Sequence, residues 1–419
     1  MKNLKIAVIG AGSTYTPELI NGFLVRDNNL SVDSYYFMDI DRPKTEIVAG
    51  LARRMIAKYG SPGKIVVTED LAEAVEGADY VMGQVRVGKL RARILDERIP
   101  MKHGLLGQET TGAGGFMNAL RTIPVLLNVA KAMERFAPGA WLINFSNPSG
   151  IVAEALLNHT DVRMIGLCNG PIKMVMHAKE RAPAGTKHFD YDFVGLNHLC
   201  WVTAIYADGR EILAGQLAGD GGDGDARLAR ATGGLPAGYL NYYYHRDAQL
   251  KKCLASEKTR GEECLSIEEE LLGMYKDPAL CTVPEALGKR GGSMYSDAAV
   301  SLVDSIENDK NDFHVVDVKN NGAFAFLGDD DVIETKCVVG KDGATPVKLK
   351  NFNNLYIIGL IRSVKAYEKL AVKAAVEGSA DAALAALMAH PLVGDYEKAK
   401  NVLDEMLTAN KAYLPQFKL

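Results

Sequence analysis

The sequence predicts an α/β fold: a doubly wound, mostly parallel sheet followed by a mixed α+β C-terminal domain. Three observations carry this. The N-terminal run "LKIAVIG" is apolar and β-branched, ends in a glycine turn and leads into a helix-like stretch from about Pro17. Strand-like and helix-like runs then alternate, as parallel sheets with crossover helices require. Beyond "DFVGLNHLCW" the alternation stops. The expected division is therefore 1–195, a dinucleotide-binding α/β domain, and 196–419, a second domain of mixed α+β build.

The first strand ends at Gly10, and Gly10-Ala11-Gly12-Ser13 forms the turn. Strand, glycine turn and helix aim backbone N–H groups and a positive dipole end at a pyrophosphate. Tyr15 stands where a third glycine would complete the pattern. The second strand, "SYYFMDI", reaches Asp39, the place of the acid that bonds the ribose hydroxyls. A carboxylate there repels a 2′-phosphate and favours NAD over NADP, although Arg42 and Lys44 oppose that preference. The plainer alternative is a tight turn beside a surface aspartate.

Further strands are expected at "KIVVTED", "DYVMGQV", "AWLINFSNP" and "DVRMIGLCNGP", separated by helices such as "IPVLLNVAKAMERFA". Ligands gather at the carboxyl ends of such strands, which places Asn147, Cys168 and Asn169 there. Further on, Val202 to Leu213 reads as a hairpin about Asp208-Gly209. The Gly- and Asp-rich segment 214–234 reads as a loop and lacks the spacing of a calcium loop. "GYLNYYYHRDAQLKK" and "GGSMYSDAAVSLVDSIEND" read as helices, "DFHVVDVKNNGAF" and "DVIETKCVVG" as strands of a small antiparallel sheet, and the chain from about Asn351 as helical.

Composition narrows the function. Apolar residues make up 47% of the 419, and the net charge is −4. A mildly acidic chain is a poor partner for nucleic acid or a membrane surface. The N-terminal run is broken at once by glycine and serine, unlike a signal peptide, and no run suits a spanning helix. Six scattered cysteines without a C-x-x-C pair suggest reduced thiols and a cytoplasmic setting.

Cys168 and His198 are a thiol and an imidazole in two glycine-flanked segments, "GLCNGP" and "GLNHLCW". Together they suit a divalent metal, but two protein ligands leave positions for water or substrate. Spacing alone equally allows a buried thiol and an unrelated core histidine. "QETTGAGGF" reads as a turn into a helix, with Glu109 either at the helix start or in a site. The tyrosines at 239, 242, 243 and 244 form an aromatic stripe or include a base. Arginines 86, 91, 93, 98 and 290 are anion clamps or a solvated face.

Taken in series, "GAGST", "RVGKLRARILDERIPMKHGLLGQETTGAGGF", "NFSNPSG", "CNGP", "GLNHLCW", "GYLNYYYHRD" and "RGGSMYSDAA" resemble family-four glycoside hydrolases. The order holds along nearly the whole chain, and the form of the cysteine motif is similar to that of the 6-phospho-β-glucosidases. The resemblance implies a Rossmann-type sheet like that of lactate and malate dehydrogenases, with NAD and a divalent metal, usually manganese. It implies Gly10, Gly12, Ser13 and Asp39 at NAD, and Cys168 and His198 on the metal. It further implies Arg93, Asn147 and Asn169 at the sugar, Arg290 at its 6-phosphate, Tyr239 as base and Glu109 as the acid that sharpens that base. The implied substrate is a phosphorylated disaccharide or aryl glucoside, and the implied assembly a homodimer or homotetramer. In the α-active branch an acidic residue follows the cysteine, whereas here it is Asn169. The implied chemistry is oxidation at C3 by NAD, loss of the C2 proton, elimination at C1, water addition and re-reduction. The alternatives are a non-phosphorylated or α-linked glycoside and, in another class, an NAD-dependent hydroxy-acid dehydrogenase.

Overall fold

A computed structural model describes residues 2–219, 224–291 and 294–418. Six parallel strands run through the first half. They are β1 (Asn3–Ile9), β2 (Ser31–Met38), β3 (Lys64–Thr68), β4 (Tyr80–Gly83), β5 (Trp141–Asn144) and β6 (Arg163–Gly166). The strands of one further sheet follow: β7 (Phe189–Leu196), β8 (Leu199–Ala207), β9 (Arg210–Glu211) and β10 (Leu235–Pro236). Near the end come β11 (Asp312–Lys319), β12 (Val332–Gly340) and β13 (Gly343–Pro346). Among the described residues the main sheet has the order β13-β12-β11-β6-β5-β4-β1-β2-β3. Its last six members are the doubly wound dinucleotide-binding order, with the reversal between β1 and β4.

β1 shows why the run folds this way. Leu4, Ile6 and Val8 enter one apolar core and Ala7 and Ile9 the other, so both faces of the strand are covered. Helices Thr16–Leu24, Arg42–Tyr59 and Tyr295–Glu307 cover one face. Gly112–Phe136 and Leu355–Glu377 cover the other.

The late strands do not form a small sheet of their own. β11 pairs antiparallel with β6 and extends the parallel sheet, with Asp317 opposite Gly166. The separate sheet is instead built from β7, β8, β9 and β10. The expected hairpin about Asp208-Gly209 is present. The segment 214–234 is not simply a loop: helices Leu213–Gly219 and Gly224–Thr232 occupy most of it, and residues 220–223 lie outside the described residues. Gly292 and Ser293 of the expected 291–309 helix segment also lie outside them. No helix among the described residues is long and apolar enough to cross a membrane.

Arg121 fixes the helix that carries the arginine-rich segment. Its guanidinium forms a two-pronged pair with Asp96, at 2.8 and 2.6 Å, and also donates to Asn410 Oδ1 at 2.8 Å. Both partners are fully buried. Asp96→Ala strands a buried cation and is expected to lower the unfolding free energy by about 3–5 kcal/mol. Denaturant unfolding checks this; a loss below about 1 kcal/mol contradicts it.

Candidate active site

The glycine turn comes first. Gly10 takes φ +88, and a Cβ there would sit 2.7 Å from the Gln84 carbonyl oxygen. The amides of Gly10 and Ala11 both reach Met38 O, which ties the turn to the end of β2. Asp39 lies at that end: its Oδ2 accepts from Gly12 N at 2.9 Å and its Oδ1 from Asp41 N at 3.0 Å. Each oxygen keeps a further lone pair. Ser13 continues the turn, donating its amide to Gly10 O and accepting from Tyr15 N at Oγ. Of the two opposing cations, Arg42 is half exposed and lies 3.9 Å from Glu46, whereas Lys44 is paired more closely. Lys44 pairs with Glu268 at 2.8 Å and Lys89 with Asp41 at 2.6 Å.

Cys168 follows β6, just before helix Gly170–Glu180, and Gly170 N points to its sulfur at 3.4 Å. Asn169 is the N-cap residue, and its Oδ1 lies 3.8 Å from that sulfur. His198 is the second residue of the two-residue turn between β7 and β8 and holds φ +65. That left-handed conformation is uncommon outside glycine but is tolerated by histidine. It turns the ring so that Nε2 stands 3.4 Å from Cys168 Sγ. Both side chains are buried. Burial pulls the imidazole down to about 4, so the ring is neutral and offers a lone pair near neutral pH.

Those two atoms fit one cation. A divalent metal held at about 2.3 Å by sulfur and about 2.1 Å by nitrogen separates them by about 3.1–3.6 Å at ordinary bond angles. Among the described residues no third His, Cys, Asp or Glu joins them. Such a centre keeps open positions, as catalytic rather than structural sites do.

Tyr239 completes this corner. Its ring centroid lies 4.0 Å from that of His198. Burial raises its hydroxyl well above the ordinary tyrosine value, and the charges of Cys168 and Glu109 raise it further, while a hydrogen bond from Thr110 opposes them. The other tyrosines divide. Tyr243 bonds Thr111 Oγ1 at 3.0 Å and Tyr244 accepts from Trp201 Nε1 at 3.0 Å, so both serve packing. Glu109 is gripped by Arg86 at 2.5 Å and Arg93 at 2.9 Å. Burial alone would raise its carboxyl, but the two guanidiniums hold it below the usual carboxylate range. Glu109 thus acts on Tyr239 by charge, and Thr110 by contact.

Arg93 also bonds Glu97 at 2.8 Å. Asn118 ties the neighbouring loops, donating to Glu109 O at 3.3 Å and to Asn147 O at 3.0 Å. Among the described residues the buried side-chain oxygen of Asn147 has no hydrogen-bond partner, so it is open to accept from a donor in the cleft. Arg290 joins the dinucleotide turn to this cleft: it bonds Thr14 Oγ1, stacks over Tyr15 at 5.1 Å and sits 3.6 Å from Glu268. The candidate residues thus gather at the carboxyl ends of the parallel strands, except Arg91 and Arg98, which are exposed, Arg98 being paired with Glu262. The cysteine and histidine come from either side of the expected 195/196 division. Thr110 and Asn118 are additions, held by local polar contacts that leave no periodic trace in the sequence, and Arg86, one of the candidate clamps, is engaged by Glu109.

A doubly wound dinucleotide-binding fold with a thiol–imidazole pair at the carboxyl end of the same sheet defines an enzyme built on a dehydrogenase-like scaffold. The chain belongs to family 4 of the glycosyl hydrolases. Residues 5–182 match the model described as family 4 glycosyl hydrolase, and residues 193–393 match its C-terminal domain. It is 42% identical to a probable 6-phospho-beta-glucosidase of Bacillus subtilis (strain 168), covering 99% of this chain and 98% of the relative. The 6-phospho-beta-glucosidase of Thermotoga maritima, solved with manganese, NAD+ and glucose-6-phosphate, superposes with TM-score 0.88 at 34% identity, covering 98% and 99% of the two chains. Malate dehydrogenase of Aeropyrum pernix, at 12% identity and TM-score 0.51 over 88% of this chain and 97% of that one, shares the fold alone.

Proposed function

We propose that this enzyme hydrolyses 6-phospho-β-glucosides, such as cellobiose 6-phosphate or aryl β-glucoside 6-phosphates, with NAD and manganese or another divalent metal. The observation that carries the reading is the 3.4 Å approach of Cys168 Sγ to His198 Nε2 with Tyr239 packed against the same imidazole. The names of the full-length relatives support the phosphorylated β-glucoside. Asn169 supports the β linkage, because an amide cannot protonate a leaving group as an acid at that place would. The Asp39 carboxylate at the end of β2 supports NAD, since it repels a 2′-phosphate, and of the two nearby cations Lys44 is already paired with Glu268.

In this reading residues 1–195 hold the dinucleotide, through Gly10, Gly12, Ser13 and Asp39, and 196–419 supply His198, Tyr239 and Arg290. NAD, when bound, would supply hydride transfer at the sugar, and a divalent ion would supply Lewis-acid polarisation. Cys168 and His198 hold that ion. Arg93, Asn147 and Asn169 orient the sugar, and Arg290 receives the 6-phosphate. Tyr239 takes the C2 proton, an acid made available by a neighbouring ketone, and Glu109 keeps that tyrosine strongly basic. No pair of free carboxylates of the ordinary glycosidase kind is needed.

The test is an assay of chromogenic β-glucoside 6-phosphate with and without NAD, manganese and a reductant. Turnover is expected only with both NAD and metal, without net NADH. The α-anomer and the unphosphorylated β-glucoside are expected to fall at least about 100-fold lower, because each leaves a built contact unmade. Equal turnover of either alternative, or steady accumulation of NADH, overturns the assignment; the last would indicate a hydroxy-acid dehydrogenase.

A further inference from the structure

Behind the thiol–imidazole pair lie two acids that the proposed chemistry does not use. Asp317 on β11 and Glu334 on β12 are directly opposite in the antiparallel register, and both are fully buried. Each grips a different piece of the site. Glu334 Oε1 accepts from Asn197 Nδ2 at 2.9 Å, and Asn197 is the turn residue immediately before His198. Asp317 Oδ2 accepts from Ser149 Oγ at 2.5 Å, one step beyond Asn147-Pro148. Asp317 also faces Gly166, the second residue before Cys168.

Two glycines make this approach possible. A Cβ on Gly166 would lie 2.8 Å from Asp317 Oδ2 and 3.0 Å from Ser149 Oγ. A Cβ on Gly150 would lie 2.8 Å from the Asn197 Cβ. So the loop of Asn147, the strand end before Cys168 and the turn of His198 are keyed to one another and to one cross-strand carboxylate pair. The surroundings are polar: the Cys200 thiol reaches Glu334, and Lys365 is gripped by Glu154 and Glu368 at 2.8 and 2.5 Å. Burying two acids side by side is a poor way to gain stability. It is an effective way to fix direction, because one oxygen of each acid accepts a bond from one defined donor.

We infer that Asp317 and Glu334 are positioning residues for the metal centre: Glu334 sets His198 through Asn197, and Asp317 sets the approach to Cys168 through Ser149 and Gly166. The inference rests on the reading of Cys168 and His198 as the metal ligands. Groups that orient metal ligands from behind are typically worth about 10–100-fold in metal affinity.

The test is direct Mn2+ binding, read from the free-ion electron paramagnetic resonance signal of the full-length protein with NAD present. Thermal midpoint and NAD affinity are measured alongside. Glu334→Ala, Asp317→Ala and Asn197→Ala are each expected to weaken Mn2+ about 10–100-fold with NAD affinity unchanged. Glu334→Gln and Asp317→Asn keep an accepting oxygen and are expected to stay within about threefold of the parent. Where an alanine variant at a buried acid fails to fold, the half-buried Asn197→Ala decides for the Glu334 arm and Ser149→Ala for the Asp317 arm. Unchanged Mn2+ affinity in a folded alanine variant overturns the inference for that arm. Equal weakening by the amide and the alanine does the same. If the parent protein binds no Mn2+, the metal reading itself fails, which is a separate result from a parent that binds and variants that bind equally well.

Discussion

Cys168→Ser is expected to lower metal-dependent turnover by at least about 1000-fold while leaving NAD affinity within about twofold. The substitution removes one sulfur and little volume, so packing around it barely changes. What it removes is the sulfur, the softer and stronger ligand for a divalent transition metal. A thiolate at this place meets the Gly170 amide at 3.4 Å and the N-terminal end of helix Gly170–Glu180, both of which favour negative charge. A serine hydroxyl stays protonated there and is a far weaker ligand. His198 alone, a single neutral imidazole, cannot then retain the ion, because among the described residues no other cluster of ligating side chains stands ready to replace the sulfur. Loss of a Lewis acid that carries several kcal/mol of transition-state stabilisation sets the scale of the effect. The measurement is kcat/KM across a manganese titration, with NAD binding followed by fluorescence. Manganese-dependent turnover within about tenfold of the parent would remove Cys168 from the centre.

Much of the fold was legible because its signals are local. β1 is a continuous apolar run that ends at a glycine whose φ of +88 suits few other residues, and the same logic places Asp39 at the end of β2. The late strands were legible as strands but not as neighbours. Whether β11 joins a new sheet or the edge of the old one depends on Asp317 meeting Gly166, a pairing between distant segments that no periodicity reports. Segment 214–234 misled for the opposite reason. Its glycines and aspartates argue for a loop, yet tertiary contacts of Leu213, Leu217 and Ala229 with the second sheet's core draw short helices out of it.

The site divides in the same way. Cys168 and His198 could be paired by family resemblance, but spacing alone left a core histidine open. Only the left-handed backbone of His198 shows why that ring swings onto the sulfur. From its local sequence Glu109 read first as a helix start. In the structure the N-cap of helix Gly112–Phe136 is Thr111, which frees Glu109 to sit between Arg86 and Arg93. The contacts of Asn118 and Thr110 depend on which loops meet above the sheet, and composition holds no record of that.

Tyr239→Phe is expected to lower turnover about 100- to 10,000-fold, the range a positioned proton acceptor supplies, with Mn2+ and NAD binding retained. The ring of Tyr239 lies against His198, so phenylalanine keeps the aromatic packing and deletes only the oxygen. Burial, Cys168 and Glu109 all hold the proton on that oxygen, and the Thr110 bond alone opposes them. A base in such surroundings is strong once ionised, and a cation between Cys168 and His198 is the nearby charge that favours ionisation. The alternative is that Tyr239 only shapes the sugar pocket. The two roles separate in heavy water. Turnover by the parent protein is expected to place deuterium at C2 of the released sugar, because the proton removed there is replaced from solvent. In Tyr239→Phe, deuterium uptake at C2 of bound sugar is expected to fall in step with turnover. If the variant exchanges the C2 proton at the parental rate while turnover drops, the tyrosine acts after proton removal. If the parent places no deuterium at C2, no residue of this chain serves as a base at that carbon, and the elimination route falls with it.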